Sequence, residues 1–368
     1  MNADPAFTSR SASKSGSSIG LVLLFFSIGL METVASYYSF SRADDHAYFL
    51  EIANLGLKAI PEFDQPYFDF KAQSAGLAFY VLTGPGRLLG GDELSHLLWL
   101  RLLTLAGFLA GFVWFQNVTN PQASKVTRQK NLGLFITLVL LYPGQLAWTA
   151  SLLRDGAATA TFFLALVCLR RNIKVLLSVP LFAASLSLRP EYAVVLVLIA
   201  TGLLIHRQIG RIGWRKMCLL TILLAFSMAT HTIQVESSGF GQFAFGDDGM
   251  AYPFVSGVFD LLGYGAILAQ AIFEPIPLAQ PLSGSAFYVA DFAFFVYVLF
   301  RCKELLGSKN SRAASLTMVI LAGLWIFAYF ELYVGGFSRH RLCLQVALIA
   351  LITVNPKNLV SRKNANRN

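Results

Sequence analysis

Carboxylates and cysteines are both scarce in this chain. Its 368 residues include 20 Asp and Glu against 29 Lys and Arg, and only 4 Cys. Cys168, Cys218, Cys302 and Cys343 show no paired spacing, which excludes a disulfide framework and a zinc site built on Cys pairs. There is no Walker loop, no dinucleotide fingerprint and no visible internal repeat. No polar stretch is long enough to form a soluble nucleotide-binding domain, so a cytoplasmic nucleotide site is excluded.

What the chain has in quantity is apolar residues: 55% of the sequence is hydrophobic and 13% charged. They fall in blocks of roughly 15 to 22, near the length of a bilayer-crossing helix. The pattern predicts an all-α, polytopic membrane bundle. About ten spans are expected, at 19–40, 94–116, 131–148, 156–170, 174–188, 191–206, 217–234, 285–301, 314–334 and 341–356. Residues 1–18 read as a flexible cytoplasmic tail, 19–356 as a single transmembrane domain, and 357–368 as a basic cytoplasmic tail.

The formal charge of +9 does not point to nucleic acid, because its distribution follows membrane topology. With a cytoplasmic N-terminus, the inside segments are 1–18, 117–130, 170–174, 206–216, 301–313 and 357–368. They carry 20 of the 29 Lys and Arg but only Asp4 and Glu304 of the 20 acidic residues. Each therefore obeys the positive-inside rule, and both termini read as cytoplasmic. Two semi-apolar stretches, 73–90 and 253–273, read as juxtamembrane or re-entrant helices. A crossing at 73–90 alone would put "KVTRQK" outside, and Gly84, Pro85, Gly86, Gly257, Gly263 and Gly265 favour broken helices there. The first apolar run is too long for a signal-peptide core and reads as an uncleaved anchor.

Two outside loops are long, 41–93 and 235–284. The first opens with "SRADDHAYFLEIANLGLKAIPEF". As a helix, "DDHAYFLEIA" puts Asp44, Tyr48 and Glu51 on one face. Asp44 and Asp45 can bind a divalent metal such as Mg or Mn through oxygen, or supply a general base. The local alternative is that Asp44 caps the helix with Asp45 in its first turn.

Three cationic features share that side. "SLLRDGAATATFFLAL" puts Arg154 where basic residues are sparse, beside an Asp155 that either orients it or caps the next helix. "LSLRPEYAVVL" joins arms of roughly 23 Å, short of a hydrocarbon core of about 30 Å. Its Arg189-Pro190-Glu191 tip is therefore sunk, and Arg189 needs an acidic partner, Glu191 being the nearest, or a phosphate. "YVGGFSRHRLCLQVAL" brings together Arg339, His340 and Arg341, which suit either a phosphate grip with proton transfer by His340 or anchoring in lipid headgroups. In the second loop, "ESSGFGQFAFGDDGMAYPF", Asp247, Asp248 and Gly249 read as a turn.

Carboxylates and several arginines facing one compartment suit a substrate with a phosphate or pyrophosphate leaving group. Without a cytoplasmic nucleotide site, the activated substrate is expected to be lipid-borne.

The chain resembles the GT-C superfamily of polytopic glycosyltransferases, which includes the protein mannosyltransferases and the lipid A aminoarabinose transferase. "DDHAYFLEIA" resembles their acidic motif after the first span, and "LLGGDELSHLLWLRLLTLAGFLAGFVW" the start of their second. "SLLRDG", "LSLRPEY" and "FSRHRLCLQVALI" are also similar to segments of Wzy-type or EpsG-type polysaccharide polymerases.

The resemblance implies an enzyme of the bacterial inner membrane, in contact with membrane lipids and polysaccharide-assembly proteins. It would move a sugar, at the extracytoplasmic face, from a polyprenyl-phosphate or pyrophosphate carrier to a glycan or lipid-linked acceptor. Asp44 or Asp45 would act as base or metal ligand, and His340 would assist proton transfer. Arg154, Arg189, Arg339 and Arg341 would bind the phosphate, supported by Asp155, Glu191 and Glu51. A Wzy-like polymerase of lipid-linked repeat units is the first alternative. A flippase or exporter ranks behind it, since the intramembrane charges Glu32, Asp291 and Glu331 are few and lean outward.

Overall fold

The structure, a computed structural model, describes residues 13–39, 46–60, 66–145, 154–169, 175–209, 285–308, 310–330 and 342–354, and every regular element among them is helical. Helices α1 (Ser13–Ser39) and α5 (Glu93–Thr119) cover the first two expected spans. Their segments Ser18–Tyr38 and Glu93–Thr119 are, among the described residues, the two helices long and apolar enough to cross a membrane. Between them lie α2 (His46–Leu55), a 3-10 turn (Gly56–Ala59), α3 (Pro66–Leu82) and α4 (Gly84–Leu88). Then follow α6 (Lys125–Leu140), α7 (Arg154–Leu169), α8 (Val175–Leu188), α9 (Tyr192–Ile209), α10 (Ser285–Leu306), α11 (Ser311–Phe330) and α12 (Leu342–Val354).

The helix boundaries differ from expectation where local signals override the apolar pattern. α1 begins at Ser13, inside the expected tail, where no proline stops the helix. α6 spans Lys125–Leu140 rather than 131–148. Ser124 caps its start, accepting from the Thr127 amide at 3.2 Å, and Pro143 disfavours helix at the residue before it. The stretch 73–90 is broken at Thr83, between α3 and a short α4 with a proline in its first turn. The expected span 217–234 and the stretch 253–273 lie outside the described residues.

Contacts divide the chain into two compact units, within residues 1–190 and 191–359. In the first, α7 packs against both α5 and α8. The α5–α7 contact works because "GFLAG" in α5 meets "GAATA" in α7. A Cβ on Gly107 would lie 2.2 Å from the Ala160 Cα, and one on Gly111 2.9 Å from the Phe163 ring. Small residues let the two backbones approach this closely. α7 is consequently buried without interruption from Asp155 to Phe163. Ser185 of α8 ties the other side, donating to the Ala158 carbonyl at 3.0 Å.

The short helices fold onto the start of α5. The Asp92 side chain caps α5, accepting from the Ser95 amide at 2.8 Å, and hydrogen bonds from the Ser95 hydroxyl and then its amide hold the carboxyl below the usual aspartate range. His46 Nε2 donates to the Glu93 carboxylate at 2.7 Å, and Asn54 Oδ1 accepts from His96 Nε2 at 3.0 Å. Arg87 donates to the Ala53 and Tyr80 carbonyls at 2.7 and 2.8 Å, with its guanidinium 3.6 Å from the centre of the Tyr80 ring. α3 also packs on α8, which brings its face toward the start of α7.

In the second unit α9 packs on α11, where a Cβ on Gly202 would lie 2.8 Å from Val319. Helices α10, α11 and α12 pack pairwise on one another. All of α12 is buried, as its uniformly apolar sequence requires.

Candidate functional site

Helices α7 and α8 form an antiparallel pair, so the first turn of α7 meets the end of α8. Asp155 lies in that turn and Arg189 follows the last residue of α8. The two form an ion pair between Arg189 Nη2 and Asp155 Oδ1. Asp155 is 1% exposed and Arg189 3% exposed, so the pair is shielded from water. A charge buried this deeply requires a partner, because loss of hydration costs several kcal/mol per ion. The sequence offered Glu191 as the nearest acid for Arg189 and cast Asp155 as the residue orienting Arg154. The structure joins Arg189 to Asp155 across the α7–α8 hairpin.

Arg154, the first residue of α7, opens onto a cavity of about 200 Å³. Tyr48, Phe49 and Ile52 of α2 and Lys71, Ala72, Ala75 and Gly76 of α3 complete the lining. A single water needs roughly 15 Å³, so the cavity has room for a chemical group of several heavy atoms. Among the described residues its charged lining consists of Lys71 and Arg154, and the N-terminus of a 16-residue helix adds a partial positive charge. The rest of the wall is largely apolar. Such a site can hold an anion joined to a hydrocarbon or sugar body.

Sequence reasoning missed Lys71. The signal was nonetheless present, since it belongs to the minority of 9 basic residues left when the inside segments are set apart from the 29 in the chain.

A second polar cluster joins α1 to α5. Arg101 is fully buried and donates to Glu32 at 2.9 Å, to Gln145 at 2.5 Å and to the Gly29 carbonyl at 3.2 Å. Gln145 also reaches the same Glu32 oxygen at 3.5 Å. Gly29 permits this approach, because a Cβ there would lie 2.6 Å from Leu105.

The remaining sequence candidates are dispersed. Glu51 is exposed on α2, three positions from Tyr48, and Glu191 is partly exposed at the start of the second unit. Asp44, Asp45, Arg339, His340 and Arg341 lie outside the described residues, as do Asp247, Asp248 and Glu331. Among the described residues no group of three or more His, Cys, Asp or Glu side chains is arranged to hold a metal ion. No protein-family model, curated protein or solved structure matches the chain.

Proposed function

We propose that this chain is a polytopic inner-membrane transferase with about ten spans and cytoplasmic termini. It moves a sugar from a polyprenyl-phosphate or pyrophosphate carrier to a glycan or lipid-linked acceptor at the extracytoplasmic face. The observation that carries the reading is the cavity lined by Lys71 and Arg154, beside the buried Asp155–Arg189 pair. Cations on an otherwise apolar wall suit a phosphate carried on a lipid, and they stabilise the charge left on that phosphate as the sugar departs. Asp155 holds Arg189 at the base of α7, and Arg154 faces the substrate. Asp44 or Asp45 would take the acceptor proton or hold a divalent metal, Arg339 and Arg341 would add phosphate contacts, and His340 would assist proton transfer.

A Wzy-like polymerase, joining lipid-linked repeat units with arginines rather than a carboxylate base, is the second reading. It is favoured by the cavity's charged lining, which is basic among the described residues.

The test is transfer by the full-length protein in nanodiscs supplied with polyprenyl-linked donors. Arg154→Ala should lower turnover by tenfold or more, a loss of about 1.4 kcal/mol of transition-state stabilisation, while the protein still elutes as one species. A folded protein that transfers no sugar from any such donor ends the proposal. Full activity in the Asp44→Ala, Asp45→Ala double variant, with loss at Arg154 or Arg189, selects the polymerase.

A further inference from the structure

We propose that α3 and α4 form a re-entrant element seated in the membrane leaflet at the Glu93 end of α5, with Phe70, Leu77, Val81, Leu88 and Leu89 set against lipid acyl chains. The proposal rests on the reading of α5 as a membrane span, and it goes further by assigning the break between α3 and α4 to the bilayer and not to the water above it.

α3 is apolar on two opposite faces. Ala75, Gly76 and Phe79 are buried where the helix packs on its neighbours in the first unit, whereas Phe70, Leu77 and Val81 are exposed. Spacings of seven and four residues put those three on one line, roughly 16 Å long at about 1.5 Å of rise per residue. Just beyond the break, Leu88 is 89% and Leu89 68% exposed, and only Gly90, Gly91 and Asp92 separate them from α5. So many apolar side chains in one place mark a contact surface. The polar residues of α3 gather in its first half, where Asp69, Lys71 and Gln73 lie and the Gln73 amide donates to Asp69 at 2.7 Å. From Ser74 to Leu82 the sequence carries no charge. That gradient along a single helix fits one whose second half is inserted and whose first half meets the headgroups.

The break at Thr83 is built for an apolar medium. The last carbonyls of a helix lack backbone partners, and in hydrocarbon no water satisfies them. At the end of α3 side chains do so. The Phe79 carbonyl accepts from the Thr83 hydroxyl at 2.9 Å, the Tyr80 carbonyl from Arg87 at 2.8 Å, and the Leu82 carbonyl from Trp99 Nε1 at 2.7 Å. Arg87 also donates to the Ala53 carbonyl near the end of α2 and lies over the Tyr80 ring, so the guanidinium is itself enclosed by acceptors and an aromatic face. Trp99 sets the depth. It follows Glu93 by six residues, about 9 Å along α5, and tryptophan is a residue type that gathers at the membrane–water boundary. Its bond to Leu82 holds the end of α3 beside the first turns of the span.

The test uses the full-length protein in phosphatidylcholine nanodiscs, with Cys168, Cys218, Cys302 and Cys343 replaced by alanine. A bimane fluorophore is attached at Leu77→Cys, Val81→Cys or Leu88→Cys. Quenching by phosphatidylcholine brominated on its acyl chains is compared with quenching by iodide in the water. All three probes should lose most of their emission to the brominated lipid and little to iodide, while a probe at Gln73→Cys should show the reverse. Iodide quenching at Leu77, Val81 and Leu88 would put α3 and α4 in water, and quenching by neither agent would mean that protein covers the stripe; each result overturns the proposal. Lipid quenching at Gln73 equal to that at Val81 overturns the inserted orientation. Probes at Leu23→Cys in α1 and Val113→Cys in α5, both exposed, read the spans themselves. Lipid quenching there without any on α3 and α4 removes the re-entrant element and leaves the spans standing, whereas its absence at Leu23 and Val113 removes the span reading and the leaflet assignment with it. Arg87→Met strips the donor from the Tyr80 and Ala53 carbonyls and should move the Val81 probe toward iodide with the two span probes unchanged. A Val81 probe that does not respond overturns the sealing role of Arg87.

Discussion

The Arg189 guanidinium and the Asp155 carboxylate close the α7–α8 hairpin as an ion pair that water does not reach. The pair sits one residue from Arg154, so whatever fixes Asp155 also fixes the first turn of α7 and the cation that faces the cavity. Truncating one partner leaves the other as an uncompensated buried charge, whereas replacing both with apolar residues removes the hydration penalty along with the attraction. Arg189→Leu or Asp155→Leu alone should therefore cost about 3 to 5 kcal/mol, and the double variant much less than the sum. Thermal unfolding of the detergent-solubilised protein measures this. Single variants that melt with the wild type would show that the pair carries no structural burden.

The α5–α7 contact admits no side chain at Gly107. A Cβ there would lie 2.2 Å from the Ala160 Cα, which is backbone and cannot swing aside. Gly107→Val should separate the helices at a cost of roughly 1 to 3 kcal/mol or more. Since α7 carries Arg154 at its start, transfer in nanodiscs should fall as well. Gly20→Ala in α1 is the matched control: a Cβ on Gly20 meets nothing within 4 Å, and alanine favours a helix by up to about 1 kcal/mol. If both variants have the same melting temperature, the close approach is not what holds α7.

Helix positions were readable where local chemistry and apolar pattern agree. α5 was expected over 94–116 and spans Glu93–Thr119, because Asp92 supplies a cap just ahead of a long apolar run. The end of α6 was misplaced because hydrophobicity continues past Leu141, while the backbone responds to Pro143. The site was half legible. Arg154, Asp155 and Arg189 could be singled out because charge is costly in such surroundings, but their pairing could not, since it depends on how α7 and α8 return on one another. Lys71 was hidden for the same reason: the packing of α3 on α7 and α8 brings it to the start of α7. Arg101 was passed over inside an apolar run, its partners Glu32 and Gln145 being 69 and 44 residues away.

The ten-span topology makes a prediction independent of any substrate. It puts Lys58 outside and Lys125 inside, and both side chains are exposed. In a background with Cys168, Cys218, Cys302 and Cys343 replaced by alanine, Lys58→Cys should react with a membrane-impermeant maleimide on intact cells. Lys125→Cys should react only after the membrane is opened. Labelling of both positions on intact cells would invalidate the charge-based topology and with it the shared side of the candidate residues.

The Glu32–Arg101–Gln145 cluster bears on how α1 is held. Only 17% of its Ser18–Tyr38 window is buried, against 56% of the window in α5, and Leu23, Met31 and Tyr38 are exposed along it. Beside the packing of α1 on α5 and α6, the bonds from Arg101 to Glu32 and to the Gly29 carbonyl tie α1 to the first unit. Arg101→Met leaves Glu32 without its guanidinium and should cost about 3 kcal/mol, near the low end for a buried pair because Glu32 is partly exposed. Adding Glu32→Leu should recover most of that loss, since two apolar side chains of similar volume then fill the contact. Hydrogen exchange separates this local role from general destabilisation. In Arg101→Met the amides of α1 should exchange faster while those of α7 stay protected, because α7 is clamped by α5 and α8 without help from Arg101. Uniformly faster exchange across α1, α5 and α7 would mean that Arg101 supports the whole first unit instead of anchoring one helix to it.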